Sequence, residues 1–126
     1  MKRVLLCLCL ATPALADGGV TVQLPDPGRI ASAASADFLM QLVVANVVGM
    51  NCQGYILSDG EWALITGTAD IVAETLQVGP AILDERFYGP AFAALDQPGT
   101  CDAEGPRIAP LIDRLKSMGG GTDPIG

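Results

Sequence analysis

The chain has 126 residues, half of them hydrophobic, with fourteen acidic and seven basic residues, no histidine and a net charge of −7. So acidic a chain repels nucleic acid and anionic lipid and offers neither of them a basic patch. Without histidine it also lacks the usual base of a serine or cysteine hydrolase.

The first sixteen residues read as a secretory signal peptide. Met1-Lys2-Arg3 is a charged start, Val4 to Ala11 an apolar core, and Ala14-Leu15-Ala16 a small-x-small site, so cleavage is expected between Ala16 and Asp17. The apolar core is too short to span a bilayer as a helix, and no stable membrane insertion is expected once it is removed. The mature chain then holds 110 residues with five bases and fourteen acids, a charge of −9. That length suits one domain with a modest core.

Cys7 and Cys9 leave with the signal peptide. They lie inside its apolar core rather than just after it, where a lipoprotein's cysteine stands. Cys52 and Cys101 remain, an even count in an exported chain, and are expected to pair. Closing a loop of about fifty residues is worth on the order of 4 kcal/mol in the chain-entropy model. The expected location is the periplasm or the exterior.

Residues 17–28 carry prolines, glycines and a short Val20-Thr21-Val22 alternation, an extended lead-in. The helical domain is expected over residues 29–118. Ile30, Ala34, Phe38, Leu42, Ala45, Gly49 and Cys52 recur at three and four, which predicts one helix from near Ile30 to Met50. Its second half is apolar on nearly every side, the mark of a central helix, with Asp37 and Gln41 facing out. Ser58-Asp59-Gly60-Glu61 is a capping box, and Trp62, Ile65, Ala69, Val72 and Leu76 give the buried stripe of the helix it opens. Gly79-Pro80 is where that helix is expected to stop, and Gly67 within it suggests a close neighbour.

Ala81 to Leu95 is again helical in pattern. Gly89-Pro90 interrupts it, so a kink or two short helices are expected. Gly105-Pro106 opens a last helix with Ile108, Leu111, Ile112, Leu115 and Met118 inward. Residues 119–126, starting with three glycines, read as a flexible tail. The fold class is all-α, a small bundle of about four helices closed by one disulfide.

Chemistry-bearing constellations are few. Cys52 and Cys101 lack the short spacings of a zinc site, no calcium-loop pattern occurs, and no metal or cofactor is expected. Asp70 with Glu74 and Asp84 with Glu85 are the carboxylate pairs that an acid–base enzyme would need. The first pair lies opposite the Trp62 stripe and reads as a solvated face, while Asp84 suits the positive end of a helix. No catalytic residue is assigned. Tyr88 and Phe92, one turn apart beside the Gly89-Pro90 break, are the candidate contact surface for a partner.

Leu39-Met40, Ala45, Asn51-Cys52 and Cys101-x-x-x-Gly105-x-x-Ile108-Ala109 resemble an uncharacterised family of small secreted helical bacterial proteins with two cysteines. The likeness covers the first and last helices, about a third of the mature chain. It implies an exported all-helical domain and supplies no catalytic residues. Cys52-Gln53-Gly54-Tyr55-Ile56 is similar to the first cysteine segment of periplasmic acid-stress chaperones. The functional expectation is a non-enzymatic domain that binds or stabilises another protein. The alternatives are an acid-stress chaperone, in which protonating fourteen carboxylates below about pH 4 turns −9 into +5, and an enzyme using a carboxylate pair.

Overall fold

The computed structural model describes residues 19–126; the expected signal peptide and its cleavage site at Ala16 and Asp17 lie outside them. The described residues form helices and no strand. In order these are α1 (Pro27–Ala33), α2 (Ala36–Asn51), α3 (Asp59–Thr75), α4 (Pro80–Leu83), a π-helical turn (Asp84–Tyr88), α5 (Gly89–Ala94), α6 (Thr100–Glu104), a 3₁₀ turn (Gly105–Arg107) and α7 (Ile108–Ser117). The α4–π–α5 and α6–3₁₀–α7 stretches are each continuous, so the bundle has five rods. One disulfide, Cys52–Cys101, closes it.

The fifth rod comes from a break in the run expected as one helix from Ile30 to Met50. Ser35 Oγ accepts the Phe38 N–H at 3.0 Å and so caps α2, while Ala34 leaves helical conformation at ψ 121°. The axes of α1 and α2 differ by 108°. Between Ala31 and Ala36 only alanine and serine occur, with no large side chain to favour a straight path, so the cap decides. The turn carries α1 onto α3 and leaves Ile30 fully buried, which is worth about 1.5–3 kcal/mol. Among the described residues no single helix is long and apolar enough to cross a membrane.

The second half of the broken run is central. Helix α2 buries Phe38, Leu39, Leu42, Val43, Ala45, Val47 and Val48, and packs against α3, the π turn, α5, α6, the 3₁₀ turn and α7. Asp37 and Gln41 are exposed, as their spacing indicates.

Helix α3 opens with the capping box. Glu61 N–H donates to Ser58 Oγ at 3.2 Å, and Ser58 N–H donates to Glu61 Oε1 at 2.9 Å. Leu24 lies against Gly67, where a Cβ would stand 2.7 Å from it. The helix stops at Thr75, before Gly79-Pro80. Val78 N–H reaches Ala73 O at 2.8 Å and Gln77 N–H reaches Glu74 O at 3.0 Å. That is a Schellman ending with Gln77 left-handed at φ 57°, a position usually held by glycine.

Proline at position 90 explains the π turn. In an α-helix its ring would strike the carbonyl of Arg86; instead Gly89 N–H bonds back five residues to Asp84 O, and the widened turn absorbs the defect. The last rod ends in a second Schellman motif. Gly120 N–H bonds to Leu115 O and Gly119 N–H to Lys116 O, each at 3.0 Å, with Gly119 at φ 104°.

Residues 119–126, read from the sequence as a loose tail, run antiparallel beside the lead-in. Asp26 N–H donates to Met118 O, Gly121 N–H to Gln23 O and Ile125 N–H to Thr21 O, at 2.8–2.9 Å. Val22 and Pro25 of the lead-in are buried. The returning strand of chain crosses α3 at Gly60, where a Cβ would lie 1.8 Å from Thr122 O.

Candidate binding groove

Helix α2 and the α6–α7 rod run antiparallel and are joined at both ends. At one end Cys52, 1% exposed, bonds to Cys101 in α6 with their Cα atoms 5.6 Å apart. At the other the Arg114 guanidinium lies over the Phe38 ring, 4.4 Å from its centroid. Residues 38 and 52 are about 20 Å apart at 1.5 Å per helical residue.

Between these fixings lies a groove of about 520 Å³, within the range of ligand sites. Met40, Gln41, Val44 and Ala45 line it from α2. Pro106, Ile108, Pro110 and Leu111 face them, with Glu104 and Arg107 among them. Alanine and proline side chains are short, which leaves the space between the walls unfilled. Ala45, Ile108 and Leu111 are buried beneath it, and Met40 and Val44 are half-buried. Arg107 Nη1 stands 3.7 Å from Glu104 Oε2; the Glu104 side chain is 31% exposed and that of Arg107 77%.

The sequence offers Tyr88 and Phe92 as a contact surface, and the structure splits their roles. Tyr88 is half-buried and belongs to a polar relay: Trp62 Nε1 donates to Asn46 Oδ1, and Asn46 Nδ2 donates to Tyr88 Oη, each at 3.1 Å. One amide thus joins α3, α2 and the π turn. Phe92 is 52% exposed, its ring 6.4 Å from that of Tyr88. Neither residue lines the groove.

Asp70 and Glu74 are exposed on α3, and Asp84 and Glu85 on the π turn. None of the four lines the groove; its carboxylate is Glu104. Among the described residues no group of three or more cysteine or acidic side chains is placed to hold a metal ion. The disulfide is compatible with an oxidising compartment.

The sequence places Ile108 and Leu111 on the core stripe of the last helix and Met40 and Val44 in the apolar run of the central one, with no sign that any of them borders an opening. A stripe of apolar residues reads the same whether its outer edge is covered or left open. The bridge between Cys52 and Cys101 was the one signal that these two rods lie side by side. No protein-family model, curated protein or solved structure matches this chain.

Proposed function

We propose that this chain is a non-enzymatic helical domain, exported to the periplasm or the exterior, that binds a segment of another protein in the groove between α2 and the α6–α7 rod. The open apolar groove carries this reading. Helical walls that expose apolar side chains, fixed at both ends before a partner arrives, lose little freedom on binding. The signal-peptide pattern and the disulfide support export. The separation of Asp70, Glu74, Asp84 and Glu85 from the groove favours binding over acid–base catalysis.

Acid-triggered chaperone action is the less favoured reading. The ion pairs Arg29–Asp26 and Arg107–Glu104 are each between residues three apart, at 3.7 Å, and such surface pairs contribute little to stability. Losing these two pairs on protonation would not open the core, so an acid trigger would rest on the reversal of net charge alone.

Gln41 is exposed on the groove wall, so Gln41→Trp fills the site without touching the core. Affinity capture from periplasmic extract is expected to recover a partner with the tagged wild-type protein and to lose it with this variant. Recovery of the same proteins by both, or repeated recovery of none, counts against the groove.

A further inference from the structure

We propose that the segment received by the groove is a cationic amphipathic helix of another protein, and that its lysine or arginine takes the place of Arg107 against Glu104. This rests on the groove being a binding site, and it names the chemistry of the occupant.

Shape argues for a helix. The walls are helices rather than sheet edges, and Pro106 and Pro110 carry no N–H, so they offer no alternating row of donors and acceptors for an extended peptide. A helical segment satisfies its own backbone and needs only apolar anchors at i, i+3, i+4 and i+7. The lining runs from Met40 to Ala45 on one wall and from Glu104 to Leu111 on the other, about 10 Å at 1.5 Å per residue, which is the rise between anchors i and i+7.

Charge argues for a cation. Glu104 is the partly shielded member of its pair, and Arg107 reaches it at 3.7 Å from a side chain that is 77% exposed. Arg107 therefore has solvent to swing into. A base carried in by a docked helix would meet Glu104 with water excluded by the apolar walls, where the attraction is stronger than at the surface. An acidic helix would instead draw Arg107 away and leave Glu104 covered without a partner, which is costly. The field of the whole molecule acts in the same direction: the described residues carry thirteen carboxylates against five bases, so a cationic segment is steered in and an acidic one repelled.

The test uses two synthetic helices of roughly 14 residues. Both carry leucine at i, i+3, i+4 and i+7; the remaining positions are lysine in one and glutamate in the other. Each is titrated calorimetrically into the oxidised protein at about 0.15 M salt, where exposed charges are screened beyond about 8 Å. The lysine helix is expected to bind at least about tenfold more tightly than the glutamate helix. Glu104→Gln should weaken the lysine helix by about threefold, and Gln41→Trp should abolish its binding. Equal binding of both helices, both lost with Gln41→Trp, overturns the cationic preference and leaves the groove as a binding site. A lysine helix that binds Gln41→Trp or Glu104→Gln as well as wild type is adhering to the acidic surface at large, and the inference fails. Binding of neither helix also overturns it, whatever the capture experiment with Gln41→Trp returns for the natural partner.

Discussion

Replacing Gly60 by alanine asks whether the carboxyl-terminal segment belongs to the fold. On helix propensity alone the change is favourable by up to about 1 kcal/mol. In the folded protein, however, the new Cβ would stand 1.8 Å from the Thr122 carbonyl oxygen and 2.9 Å from its carbon. The backbone there cannot slip aside, because Gly121 N–H is held by Gln23 O at 2.9 Å and Ile125 N–H by Thr21 O at 2.8 Å. Relief requires the segment to lift off and give up both bonds, each worth about 0.5–1.5 kcal/mol net. Gly60→Ala should therefore destabilise the full chain by about 1 kcal/mol. A chain ending at Gly120 keeps the cap of α7 but has no Thr122. In that background the same substitution should stabilise by about 0.5–1 kcal/mol. The signs are opposite, and the coupling is about 2 kcal/mol. One kcal/mol moves the Tm of a domain this size by about 4 °C, so thermal and urea unfolding of the four proteins resolves it. An equal rise in Tm in both backgrounds would refute the reasoning.

Three further outcomes follow from the packing. Reducing Cys52–Cys101 should cost about 4 kcal/mol from loop closure alone, lowering Tm by roughly 16 °C; calorimetry with and without a phosphine reductant measures it, and an unchanged Tm would contradict the bridge. Asn46→Leu strands both the Trp62 N–H and the Tyr88 hydroxyl and should cost about 1–2 kcal/mol in urea unfolding, whereas adding Tyr88→Phe to it should cost almost nothing more. Gln77→Gly removes a left-handed side-chain penalty and should stabilise by about 1 kcal/mol; a fall in the urea midpoint would show that the Gln77 side chain holds something of its own.

Features written in neighbouring residues were legible in the sequence. The Ser58–Glu61 box is a four-residue pattern, the greasy run from Phe38 to Met50 announced the centre, although Met50 at its end is 56% exposed, and Pro90 announced a defect in its helix. The break at Ser35 was missed because Ala31 to Ala36 continues the spacing of Ile30 and Phe38 without any packing of its own. The only local clue was a serine three residues before Phe38 with Asp37 between them. The end of α3 was placed four residues late, since the Schellman turn is made by backbone groups and glutamine is not its usual occupant. The pairing of residues 21–26 with 118–125 left no trace in side-chain pattern, being carried by main-chain bonds. The groove was hidden for a related reason: whether Met40 and Val44 are covered depends on the distance to a rod that begins at Thr100, far along the chain.

The antiparallel clasp between Thr21 and Ile125 and the bridge between Cys52 and Cys101 together set how the molecule would answer mechanical load. Tension applied at residues 21 and 125 peels the clasp one main-chain bond at a time, the weak geometry for resisting pull. Once it has parted, the loop closed by the sulfurs, whose cysteines are 49 residues apart in sequence, stays out of the line of force, withholding about 170 Å of contour length. A single-molecule trace of the oxidised protein should fall short of the reduced one by that length, a ruler built into the chain.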